Sequence, residues 1–111
     1  MNLILLVLRC RDLEKTKEFY EKLGLKFETD HDKRGAVFYS AYVGDTVLEL
    51  HLSDEWYRIK RNTLAFYLDI EDIYIFLDDA NIKIEYRYMD EGVAVAVVFD
   101  PDGRNLRIYG E

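Results

Sequence analysis

The feature that most restricts the fold of this chain is that it contains the same pattern twice. The stretch RDLEKTKEFYEKLGLKFE is repeated, with substitutions, by LDIEDIYIFLDDANIKIE. Asp12 falls on Asp69, Leu23–Gly24–Leu25 on Ala80–Asn81–Ile82, Glu28 on Glu85, and Gly44–Asp45 on Pro101–Asp102. A period of this size marks a duplicated supersecondary unit, so one unit's structure predicts the other's.

Each copy opens with an apolar run, Leu3 to Arg9 and Thr63 to Leu68, that predicts a strand. An aspartate follows each, and Asp12 and Asp69 are placed to cap a helix by accepting hydrogen bonds from its first free amides. Glu14, Glu71 and Asp72 complement the positive end of the helix dipole. The second helix carries Ile73, Phe76, Leu77 and Ala80 at i, i+3, i+4 and i+7, and the first carries Leu13, Thr16, Phe19, Tyr20 and Leu23 in nearly the same stripe. Gly24 and Asn81 end them, since both residue types accept the left-handed conformation beyond a helix C-terminus.

Three strands are predicted after each helix: 25–30, 36–43 and 46–52, then 82–88, 93–99 and 104–109. Turn residues at Asp32 to Gly35, Gly44–Asp45, Asp90 to Gly92 and Pro101 to Gly103 separate them. The expected fold is therefore α+β, two tandem βαβββ modules forming a curved mixed sheet around a cavity. Residues 1–52 make the first module, 53–62 a connector with the only tryptophan, Trp56, and 63–111 the second, together one domain over 1–111.

Strand alternation assigns faces. Leu48, Leu50 and Leu52 point one way, and Val47, Glu49 and His51 the other; Leu106 and Ile108 oppose Asn105, Arg107 and Tyr109. One face packs under the helices. The other collects polar groups, as a wet or cavity-lining face requires. Leu3, Leu5 and Val7 belong to that second face on the opening strand.

Composition narrows the function. The net charge is −7, from 22 acidic and 15 basic residues, and the basic ones are scattered apart from RIKR at 58–61. Phosphate backbones need a concentrated positive face, so nucleic acid is not an expected partner, and a cationic or neutral ligand suits the charge better. No apolar run is long enough to span a bilayer, and the opening segment reads as a buried strand rather than a signal peptide, which makes a cytoplasmic location the expectation. Cys10 is the only cysteine, which excludes an internal disulfide and any multi-cysteine metal cluster; it is expected in the core. The absence of glutamine beside 33% charged residues is a bias of heat-adapted proteins.

The duplicated βαβββ pattern, with DLEKTKEFYEKLGL in the first half, VLEL closing it and FDPDGRNLRIY closing the second, resembles the vicinal oxygen chelate superfamily of glyoxalases, extradiol dioxygenases and bleomycin-resistance proteins. In its metalloenzymes, four ligands come from the first and last strands of the modules. That resemblance places the ligand positions at Leu5, Glu49, Thr63 and Arg107, of which only Glu49 is a metal-binding residue of the usual kind. It implies a member without the metal site, closest in kind to the bleomycin-resistance branch, with no cofactor. Arg107 is then expected to supply fixed positive charge across the cavity from Glu49.

The expected function is binding and sequestering a small organic molecule, cationic or aromatic, in a homodimer. The candidate ligand-binding residues are Glu49, His51, Trp56, Tyr67, Asn105, Arg107 and Tyr109. Aromatic rings edged by carboxylates suit a planar or cationic ligand. Catalytic residues are not assigned: neither Ser40 nor Ser53 has a nearby histidine combined with a glycine-rich elbow, the sequence around Cys10 offers no obvious activating group, and no phosphate-cradling loop is present. The alternatives are a lyase or dioxygenase with an atypical metal site, and an assembly module whose cavity is closed by its own side chains.

Overall fold

The computed structural model describes residues 1–54 and 63–110. It forms two compact units, Met1–Ile59 and Lys60–Glu111, each built around one four-stranded sheet. The chain runs β1 (Leu5–Cys10), α1 (Leu13–Lys22), β2 (Glu28–His31), β3 (Val37–Val43) and β4 (Thr46–Leu52) in the first unit. The second repeats it with β5 (Thr63–Tyr67), α2 (Ile73–Asp79), β6 (Tyr86–Asp90), β7 (Val93–Phe99) and β8 (Asn105–Gly110). The strand orders correspond, β1-β4-β3-β2 and β5-β8-β7-β6, with the opening strand parallel to the closing one and all other pairs antiparallel.

Hydrophobic alternation seats each helix on its sheet. In the first unit Leu8, Cys10, Ala41, Leu48 and Leu50 are buried on one sheet face, Thr16 and Tyr20 are buried on α1, and Leu23 is buried at its C-cap. Cys10 is fully buried, as its apolar setting predicts. Burial of each larger apolar side chain contributes about 1.5–3 kcal/mol, and together these fix which face of the sheet is covered. Tyr39 ties the layers together: its hydroxyl donates to Glu14 of α1, and Lys17 Nζ lies 4.6 Å from its ring centroid. In the second unit Ile73 and Leu77 of α2 are buried, as are Ala96, Val98, Leu106 and Ile108 of the sheet.

The helix C-termini follow the sequence reading. Gly24 and Asn81 adopt positive φ, 105° and 58°. Each is followed by an amide that reaches back into the last turn, Leu25 N to Tyr20 O and Ile82 N to Leu77 O. At the N-termini only the first expectation holds. Asp12 caps α1 by accepting from Lys15 N at 3.1 Å.

Asp69 does not cap α2. The cap is Asp72, in the left-handed region at φ 46°, accepting from Ile75 N at 3.2 Å. The reason lies just upstream, where Leu68 N is bound by Tyr109 O at 2.8 Å and Ile70 N by Leu68 O at 2.9 Å. These bonds hold the chain in a turn against β8, and the helix starts one turn later than the duplicate predicts. Leu52 also departs from expectation: at the end of β4 it is 65% exposed rather than packed with Leu48 and Leu50.

The turn between β7 and β8 contains a feature that hydropathy does not suggest. Arg104 is 1% exposed and donates from Nη1 to Asp100 Oδ2 at 2.8 Å and to Asp102 Oδ2 at 3.2 Å. Asp100 Oδ1 also accepts from the amides of Asp102 and Arg104. One buried guanidinium and two carboxylates thus pin the Pro101–Gly103 turn between β7 and β8.

Candidate ligand-binding site

The face of the first sheet opposite α1 is set by the β3–β4 hairpin. Gly44, at φ 59°, allows the two-residue turn that joins these strands, and the turn fixes Tyr42 opposite Val47 and Ser40 opposite Glu49. On the other side of β4, Leu5 lies opposite Val47, Val7 opposite Glu49 and Arg9 opposite His51. The face therefore has an apolar end at Leu5, Val7, Tyr42 and Val47 and a polar end at Glu49 and His51.

Glu49 and His51 come together as their shared parity requires. His51 Nε2 lies 2.9 Å from Glu49 Oε1, and the two side chains are 26% and 24% exposed. The ring of Phe38 stacks on His51 with centroids 4.4 Å apart and planes inclined by 13°. An ionised carboxylate only accepts, so Nε2 carries the proton in this bond and the imidazole plane is fixed by its two contacts. Asp32 stands near this group, its carboxyl held below the usual 3.8 first by the amide of Ala36, then by that of Arg34.

Beside the pair, on the β2–β3 side of the same face, lies an open cavity of about 170 Å³ lined by Lys26, Glu28, Ser40, Ala41, Tyr42 and Val47. Drug-sized sites run to about 300–1,000 Å³, so this one admits a small ring or a fragment of a larger ligand. Sequence reasoning missed Phe38, Ser40 and Tyr42 as site residues. The signal was present, because the Gly44–Asp45 turn and period-two alternation together place all three on the face of Glu49.

In the second unit, Tyr67, Asn105, Arg107 and Tyr109 share the face opposite α2. Tyr67 pairs with Tyr109 across β5 and β8, and Tyr109 donates to Asp90 Oδ2 at 3.3 Å. Desolvation, then the neighbouring Tyr88 and Asp90, raise the Tyr109 phenol above its usual 10.0. Tyr86 and Tyr88 extend the aromatic surface with ring centroids 5.8 Å apart. Arg107 is exposed, flanked by Ala65 on β5 and Val97 on β7. Asn105 lies between Thr63 and Phe99. Trp56 lies outside the described residues.

The four positions implied as metal ligands do not fit a divalent cation. Leu5 has no donor atom, Thr63 offers only a neutral hydroxyl, Arg107 presents a permanent positive charge and no lone pair, and Glu49 alone supplies a carboxylate. Among the described residues, no group of three or more histidine, cysteine, aspartate or glutamate side chains gathers where it could hold a metal ion. Among the same residues, no helix is long and apolar enough to cross a membrane.

Comparison with known proteins places these observations. Residues 2–108 match the family model described as the glyoxalase/bleomycin resistance protein/dioxygenase superfamily. A glyoxalase family protein from Enterococcus faecalis superimposes with a TM-score of 0.75 at 24% identity, over 97% of this chain and 96% of that one. A bleomycin-binding protein, solved in complex with bleomycin, gives 0.70 at 23% identity over 100% and 98%. A lactoylglutathione lyase from Agrobacterium tumefaciens gives 0.71 at 18% identity over 98% and 92%. At these identities the likeness is one of fold. A search of curated proteins found no match.

Proposed function

Because the chain belongs to the glyoxalase/bleomycin resistance protein/dioxygenase superfamily, we propose that it binds and sequesters a small organic molecule without a metal, taking a planar, cationic group on the open face of its first sheet. The observation that carries this reading is the Glu49–His51 pair, backed by the Phe38 ring and set beside the 170 Å³ cavity. A carboxylate about one-quarter exposed keeps free lone pairs for a ligand cation while its orientation is fixed by the histidine. Val47 and Tyr42 offer the apolar and aromatic surface that a ring needs. The bleomycin complex of a structural relative supports a sequestering role. On the second sheet, Tyr67 and Tyr109 are proposed as further ligand contacts.

The chain is further proposed to act as a homodimer within one 1–111 domain. Leu5, Val7, Tyr42, Tyr67 and Phe99 are large apolar side chains left exposed, and a second copy is a natural cover for such surface. Sedimentation at micromolar concentration is expected to show a dimer.

The test of ligand class compares N-methylquinolinium with quinoline at a pH where quinoline is neutral, two probes of similar shape that differ in charge. The cation is expected to bind saturably, and Glu49→Gln to weaken it about tenfold, the loss of one charge-assisted contact, with little effect on quinoline. Equal binding of both probes, or indifference to Glu49→Gln, overturns the reading. Stoichiometric metal in protein purified without chelators would favour the lyase or dioxygenase alternative.

A further inference from the structure

On the second sheet, Asn105 Oδ1 is buried and accepts no hydrogen bond from the described residues. A buried acceptor left without a donor costs stability, and native proteins leave few of them. Two residues along the same strand, on the same face, stands Arg107. Its flanking partners are Ala65 and Val97, which bring no charge to it. Within the second unit no carboxylate of the described residues pairs with it: Asp78 takes Arg87, Asp90 takes the Tyr109 hydroxyl, and Asp100 and Asp102 hold Arg104.

Among the described residues of the second unit, the face thus presents two unmet demands side by side. The guanidinium offers a fork of N–H donors to an anion, with the short Ala65 side chain leaving its apolar stem uncrowded. The amide oxygen asks for a donor. A group meeting both is an oxyanion with an O–H or N–H close to it.

We propose that Arg107 and Asn105 form an oxyanion subsite for a ligand of the hydroxycarboxylate or amino acid class, or for inorganic phosphate. Arg107 binds the anionic oxygens in a forked contact, and Asn105 Oδ1 accepts from the neighbouring donor. With a net charge of −7 the protein repels anions at a distance, so recognition here depends on these short-range contacts rather than on long-range attraction. The inference rests on the small-molecule reading above only in the size of the ligand. It uses different residues and different probes, so either can fail while the other stands.

The experiment is a titration of the full chain with glycolate, acetate and inorganic phosphate, followed through the side-chain NMR signals of Asn105 and Arg107. Glycolate carries the anion and an adjacent hydroxyl; acetate carries the anion alone. Saturable glycolate binding is expected, several-fold tighter than acetate, with both side-chain signals moving. Inorganic phosphate, which carries its own hydroxyl at neutral pH, reports whether that anion is also accepted. Arg107→Gln should abolish the response, and Asn105→Ala should reduce glycolate to the level of acetate. Both variants are checked for an intact fold by their backbone spectra. If glycolate and phosphate both fail to saturate, or if Arg107→Gln leaves glycolate binding unchanged, the subsite is refuted. Equal affinity for glycolate and acetate in the unmodified protein removes Asn105 from the proposal and overturns the two-contact site.

Discussion

Replacing Arg104 with methionine removes the only guanidinium from a buried group of three charges. Solvent screening gives little relief, because the side chains of Arg104, Asp100 and Asp102 are 1%, 0% and 3% exposed. Methionine fills much of the volume, so the change is chiefly electrostatic. It leaves two desolvated carboxylates facing each other, a situation that costs about 3–5 kcal/mol. Asp102→Asn is the contrasting perturbation. It removes the charge at the longer contact, 3.2 Å, and leaves Arg104 paired with Asp100 at 2.8 Å, for a loss of about 1–2 kcal/mol. Urea unfolding at neutral pH, followed by far-ultraviolet circular dichroism, measures both. The expected order is Arg104→Met well below Asp102→Asn, which in turn lies below the unmodified protein, with similar denaturant slopes throughout. An Arg104→Met variant within about 1 kcal/mol of the unmodified protein would show that the group is wet or that its charges are met elsewhere, and would refute the reasoning.

Three further outcomes follow from individual contacts. A Cβ on Gly110 would stand 1.9 Å from Ile73 Cγ2, so Gly110→Ala should force α2 from its seat and lower stability by about 1–3 kcal/mol in denaturant unfolding; a neutral effect would mean that the helix is not packed as described. Asp72→Ala should cost about 1 kcal/mol through loss of the α2 cap, while Asp69→Ala should cost only a few tenths; thermal melts with the reverse order would restore the cap read from the duplicate. The Tyr39 phenol is held above its ordinary 10.0, first by its bond to Glu14, so its contribution to stability is full below pH 10 and is lost as pH rises through the elevated value. Tyr39→Phe should accordingly flatten the alkaline limb of the stability profile, and an unchanged limb would assign it to another group.

Local pattern and duplication were enough to determine the two βαβββ units, the apolar stripes of both helices and the glycine and asparagine that end them. They also determined the parity that separates Glu49 and His51 from Leu48 and Leu50. These properties depend on neighbours a few residues apart, and period and turn chemistry state them directly. Alternation assigns a side chain to a face but not to a partner. Glu49 faces the way its parity requires, yet only the folded structure shows that its carboxylate meets His51 and that Phe38 of the adjacent strand stacks on the same ring. The α2 cap moved from Asp69 to Asp72 for a related reason, because hydrogen bonds to Tyr109 and Leu68 claim the intervening backbone before the helix can begin. Arg104 makes the distinction sharpest. Its parity with Leu106 and Ile108 points it toward the core, while its charge argues for water. Only the tertiary structure, which brings two desolvated carboxylates within hydrogen-bonding distance, decides that a buried guanidinium is tolerated there.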